Sequence, residues 1–147
     1  MILNRRFSRP ADRAQGITFV EIMIGIAIFG LIISMLLPVL NSYLNQMRRT
    51  KTETNLRFVK MEVEKFKMHT GQYPASVQDL MVRPSDQKLG ARWAGPYVED
   101  DRILIDGWNH DIMYQRTPGQ QPPYQLYSWG RGGEGSPQDE WISGWTV

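Results

Sequence analysis

The chain has 147 residues, room for one globular domain, and sets 17 lysines and arginines against 15 acids for a formal net charge of +2. Arg5, Arg6, Arg9 and Arg13 give the first 16 residues a net +3, so the remainder carries about −1 with its bases and acids interleaved, which excludes a nucleic-acid-binding stripe. Cysteine is absent, excluding disulfide staples and thiolate metal sites.

After the basic stretch, Ile17 to Leu40 reads ITFVEIMIGIAIFGLIISMLLPVL, 24 residues with Glu21 as the single charge. As a helix this run spans roughly 36 Å, more than the roughly 30 Å of a bilayer core. A secretory signal peptide has a shorter apolar stretch with a small-residue cleavage site behind it. Here the small residue, Gly16, stands in front. The arginines before the run predict a cytoplasmic N-terminus and a translocated C-terminal part, although Arg48, Arg49 and Lys51 beyond it make the asymmetry moderate. A plain signal anchor accounts for everything except Gly16 and Glu21. A carboxylate at the bilayer centre costs about 3 kcal/mol, so Glu21 calls for a functional partner or for a position shallow enough to snorkel. Gly30 permits close approach of a neighbouring helix, and Pro38 removes one helical hydrogen bond.

Helical spacing continues through Leu40, Tyr43, Leu44 and Met47, then Leu56, Val59, Val63 and Phe66, steps of three, four and three that mark one buried face. Lys60, Glu62, Glu64, Lys65 and Lys67 fall on the other faces, and Glu53 with Arg57 forms an i,i+4 pair. Gly71 is the expected C-cap, with Pro74 forbidding continuation. Residues 71–147 form the globular part. Ser76 caps a brief helix through Leu80 and Met81, ended by Arg83-Pro84. Strands are predicted around Arg102 to Ile105, Ile112 to Arg116, Tyr124 to Trp129 and Trp141 to Trp145, with Thr117 to Pro123 as a turn. The fold class is α+β: one long N-terminal helix, a membrane anchor over 17–40 and amphipathic over 41–70, packed on a small antiparallel sheet.

Gly16-Ile17-Thr18-Phe19-Val20-Glu21 resembles the prepilin processing motif, in which a glycine ends the leader and a glutamate is the fifth residue of the mature chain. Gly30 and Pro38 also fall where pilin-like helices carry a glycine and a proline. The resemblance implies that residues 1–16 are removed by a prepilin peptidase between Gly16 and Ile17, and that the new amine of Ile17 is N-methylated. It also implies that Glu21 neutralises that amine on a neighbouring copy and so sets filament register. The helix would melt around Gly30 to Pro38 in the assembled filament. Ile17 stands where the family usually has phenylalanine or methionine.

Further on, Thr70-Gly71-Gln72-Tyr73-Pro74 is similar to the NGxYP element that follows the long helix in major pseudopilins of type II secretion. Asp106-Gly107-Trp108-Asn109 looks like a variant of their DPWG element, and Tyr124 to Gly130 resembles their strand ending in a Ser-x-Gly turn. This resemblance implies a pilin-like structural subunit of a periplasmic pseudopilus that supports export of folded proteins. Its partners would be copies of itself, minor pseudopilins, the prepilin peptidase, and an inner-membrane assembly platform driven by a cytoplasmic ATPase. The chain would begin as a single-pass inner-membrane precursor with a periplasmic C-terminal part. A type IV pilin or minor pseudopilin shares the first helix and stays open as an alternative.

Major pseudopilins bind calcium between their last strands, and the resemblance places Ser128, Asp139 and Glu140 on the ligand positions. Gly132 occupies the place of the usual aspartate, which weakens the expected site; the other reading is a solvated Gly-rich loop. Glu134 could substitute along a different loop path. A membrane-tethered enzyme or binding module, the third reading, needs a cleft of convergent titratable groups. The sequence offers isolated His69 and His110, a Ser128 outside any GxSxG, and a Glu99-Asp100-Asp101 cluster that reads as a solvated turn. Trp93, Trp108, Trp129, Trp141 and Trp145 read mostly as core or subunit-contact residues.

Overall fold

The computed structural model describes residues 16–147, so the basic stretch before Gly16 lies outside the described residues. Helix α1 runs from Phe19 to Thr70 and includes Pro38. The chain divides into two compact units, one ending at Leu40 and one spanning Asn41–Val147. In the first, every described residue is exposed, and helical geometry continues through Gly30 and Pro38. Nothing within this unit covers its isoleucines, leucines and phenylalanines, which is what a 3.6-residue repeat that is apolar on all sides dictates.

The second unit contains the core. Leu56, Val59, Val63 and Phe66 of α1 are fully buried against Leu80, Val98, Ile112, Tyr124, Leu126 and Ile142. The expected stripe is therefore the packing face. Two details on the other faces differ from expectation. Glu62 is buried, with its carboxylate 2.6 Å from Lys65 Nζ. The i,i+4 pair of this helix is Arg49–Glu53 at 3.0 Å, so Glu53 turns back one turn instead of forward to Arg57. Gly71 ends the helix as anticipated: its φ is +83°, left-handed, and its N–H donates to the Lys67 carbonyl at 2.8 Å.

Ser76 opens a 3-10 turn, Val77–Leu80, in which the Asp79 carboxylate accepts the Ala75 and Ser76 amides at 2.8 and 3.2 Å. A short helix α2, Gln87–Arg92, follows; Asp86 caps it by accepting the Lys88 and Leu89 amides, each at 2.9 Å. Arg102 to Ile105 is not a strand. Asp101–Leu104 is another 3-10 turn, because the Asp100 carboxylate accepts the Arg102 amide at 3.0 Å and bends the backbone inward. Ile105 contributes only a single antiparallel bridge, to Asp111.

Strands β1 (Met113–Arg116), β2 (Tyr124–Ser128) and β3 (Ile142–Ser143) form one antiparallel sheet in the order β1-β2-β3. Met113 pairs with Tyr127 and Arg116 with Tyr124, and the predicted turn over 117–123 closes with Thr117 N donating to Pro123 O at 2.9 Å. Tyr124, Leu126 and Ser128 all face inward, the period of two that a half-buried strand requires. β3 is shorter than expected. After Ser143 the chain turns out of the ladder, and Trp145 Nε1 returns to donate to the Tyr124 carbonyl at 3.0 Å.

Candidate functional sites: the helix start and the β2–β3 loop

Of the residues singled out around the helix start, Gly16 and Ile17 precede the helix and Glu21 lies in its first turn. The helix begins at Phe19, which makes Thr18 the N-cap and Glu21 the third helical residue. Thr18 Oγ1 accepts the Glu21 amide at 3.2 Å, while the Glu21 carboxylate accepts the Thr18 amide at 3.3 Å and its hydroxyl at 3.4 Å. This is a reciprocal capping box. Thr18 is the member that the sequence reading left without a role, although Thr-x-x-Glu ahead of an apolar run is its signature. Ile17 precedes the helix and is exposed, one residue before the Thr18 amide that the Glu21 carboxylate accepts. The arrangement keeps a carboxylate at the start of the helix, held in part by its own backbone.

The Asp106–Asn109 turn anchors the globular unit to its helix. The Thr52 hydroxyl, fully buried, donates to Arg48 O at 2.9 Å and accepts the Gly107 amide at 2.8 Å. Asn55 Nδ2 donates to Ile105 O at 2.8 Å. A Cβ at residue 107 would overlap the Arg48 carbonyl, so this close approach needs glycine and leaves no room for a prolyl ring. Asn109 has φ +70° and takes the left-handed position that glycine otherwise fills.

Asp106, with no exposed surface, is the centre of the second site. Its Oδ1 accepts the Trp108 and His110 amides at 2.8 and 2.9 Å, and its Oδ2 accepts the Ser128 hydroxyl at 2.6 Å. Ser128 Oγ in turn accepts the Gly130 amide at 2.9 Å. His110 Nδ1 is 3.5 Å from Oδ2, at the limit of a hydrogen bond. Asp139 and Glu140 are exposed in the 3-10 turn Gln138–Glu140. The structure thus joins Ser128 to Asp106, not to Asp139 and Glu140. Among the described residues no three His, Asp or Glu side chains converge as a metal cradle. A Cβ at Gly132, where an aspartate ligand is expected, would stand 2.7 Å from Ser136 Cβ and 2.8 Å from Glu140 Oε2. The side chains expected to hold calcium are therefore not gathered at one point among the described residues.

The remaining candidates are structural. His69 Nδ1 meets the Tyr97 hydroxyl at 2.9 Å, and Asp100 is half-buried, its carboxyl held below the usual range by hydrogen bonds from Arg102. Tyr127 stacks on Trp141 at 4.6 Å, with Trp129 edge-on to Trp141 at 4.5 Å.

Comparison with known proteins agrees with both ends of the chain. The model of the prokaryotic N-terminal methylation motif matches residues 12–37, and that of type II secretion system (T2SS) protein G matches residues 39–145. The type II secretion system core protein G of Pseudomonas aeruginosa is 26% identical over 89% of this chain and 94% of its own length. That of Klebsiella pneumoniae is 29% identical over 92% and 97%. The crystal structure of the major pseudopilin from the type 2 secretion system of enterohaemorrhagic Escherichia coli superposes with a TM-score of 0.57, covering 69% of this chain and 90% of that one at 20% identity. The two share a fold of a long N-terminal helix and a small antiparallel sheet. With a match extending from the middle of α1 through β3, this chain belongs to the type II secretion system protein G family.

Proposed function

We propose that this chain is the main structural subunit of a type II secretion pseudopilus, made as an inner-membrane precursor and polymerised toward the periplasm without catalysing a reaction itself. The observation that carries this reading is the helix start: an apolar stretch exposed on all sides, opened by Gly16-Ile17 and carrying Glu21 as its single charge. Cleavage after Gly16 frees the Ile17 amine, a cation within a turn of Glu21. In the membrane, Thr18 supplies hydrogen-bond donors that lessen the cost of Glu21. In the filament, the methylated amine of a neighbour replaces them, and a charge pair forms in an apolar medium where Coulomb attraction is strong. That pair sets the axial register between copies.

Gly30 and Pro38 weaken the helix locally, so it can open when neighbours crowd it. Minor pseudopilins, the prepilin peptidase and the inner-membrane platform are the partners this reading requires, and the work of extraction comes from a cytoplasmic ATPase. Mass spectrometry of the membrane form tests the processing step: the expected N-terminus is Ile17 with one added methyl group, and a chain still starting at Met1 would refute it. Glu21→Gln tests the register; it should leave membrane insertion intact while abolishing filaments and protein export.

A further inference from the structure

We propose that the loop over residues 129–141 is closed by its own side chains beside a buried anion, Asp106, that is satisfied from outside the loop, and that this chain folds and keeps that loop without calcium. A calcium ion needs several oxygens turned toward one point with free lone pairs. Here the polarity is reversed: two amides and a hydroxyl converge on one buried carboxylate. The Ser128 hydrogen is committed to Asp106, and its oxygen takes the Gly130 amide. A cation would find at Ser128 only the last lone pair of a hydroxyl already bonded on both sides, one neutral oxygen where calcium takes about 6–8.

The loop's two ends are also in direct contact. At Gly130, in a left-handed conformation with φ +71°, a Cβ would stand 2.5 Å from the Glu140 carbonyl, so the 3-10 turns at the loop's entry and exit touch there. The His110 ring lies over Gly133, where a Cβ would be 3.2 Å from Nε2. Trp141 Nε1 donates to Ser136 O at 2.9 Å, and Ser136 Oγ donates to Trp129 O at 2.7 Å. The parallel stack of Trp141 on Tyr127, 7° between planes, fastens this bracket to β2. Where a cation would cross-link the loop through carboxylates, tryptophan and backbone carbonyls do so here, and the Gly132 position is filled by Ser136 and Glu140. On the filament reading above, subunits are then competent for assembly whatever the calcium level outside the cytoplasm. The loop's own stability does not depend on that reading.

The test is thermal unfolding of the full chain in detergent, followed by tryptophan fluorescence, in EDTA and in millimolar calcium chloride. The expected result is one midpoint, within about 1 °C, in both. Binding at 100 times its Kd would instead raise the midpoint on the order of 10 °C. Such a rise would overturn the proposal, and its loss in the double variant Asp139→Asn, Glu140→Gln would place the ion in the loop. Ser128→Ala should lower the midpoint by several degrees equally in both buffers; a variant that melts with the wild type would overturn the role given to Asp106.

Discussion

Replacing Thr52 with valine would test the joint between α1 and the Asp106–Asn109 turn. The side chain is fully buried, so valine fills the same space while the hydroxyl disappears. Two hydrogen bonds go with it: the donation to Arg48 O at 2.9 Å, made within the helix, and the acceptance from Gly107 N at 2.8 Å, which crosses between elements. Arg48 O keeps its helical partner. Gly107 N–H lies against the helix backbone and is bonded there to the Thr52 hydroxyl alone. An orphaned donor in a largely closed site costs about 1–2 kcal/mol. The unit from Asn41 to Val147 is of a size for which 1 kcal/mol moves the melting midpoint by about 5 °C, so a fall of roughly 5–10 °C is expected. The control is Thr54→Val, since Thr54 donates to Thr50 O at 2.9 Å within the helix from an exposed position. Melting of the full chain in detergent, read by tryptophan fluorescence, should separate the two variants. Equal midpoints would refute the claim that the contact to Gly107 holds the turn.

Phe66→Ala removes a fully buried ring from the centre of the core and should cost about 3–5 kcal/mol, read as a lower urea midpoint at unchanged slope. Asp86→Ala removes the acceptor of two amides at the start of α2 and should cost about 1 kcal/mol locally; hydrogen exchange at Lys88 and Leu89 should speed up roughly five-fold while the core amides stay protected. Burial, then the nearby Glu64 carboxylate, raises the Tyr124 phenol above its ordinary value, and burial does the same to Tyr114. The folded state therefore holds protons that the unfolded chain releases near pH 10, so stability is complete below that pH and declines as pH rises above it. Unfolding followed by circular dichroism should show this loss, and Tyr124→Phe should make its pH dependence shallower.

The helix was legible because its signal is redundant: the steps from Leu56 to Phe66 repeat over several turns, and tertiary packing uses the same face. The 117–123 turn and the inward alternation of β2 were readable for the same reason, each residue type fitting one geometry. What escaped reading was decided by single side chains. Arg102 to Ile105 has the apolar content of a strand, but the Asp100 carboxylate reaches the Arg102 amide and tightens the backbone into a 3-10 turn. Helix α2 has no apolar period, and its one signal is the Asp86 cap. At the sites, Gly16, Ile17 and Glu21 drew notice from type and spacing, while Thr18 needed the capping geometry to explain it. The partnership of Asp106 with Ser128 spans 22 positions and follows from the sheet register, which no local pattern encodes.

The bare flank of α1 up to Leu40 restricts how copies of this chain can be stored. A molecule with that much uncovered hydrocarbon has no dissolved state of any consequence, since burying each aliphatic side chain is worth about 1.5–3 kcal/mol. On the filament reading its reservoir is two-dimensional, and supply to a growing fibre is set by lateral density in the lipid sheet. Growth therefore draws down area, and a cell lengthening its fibres must either thin that pool or insert more chains.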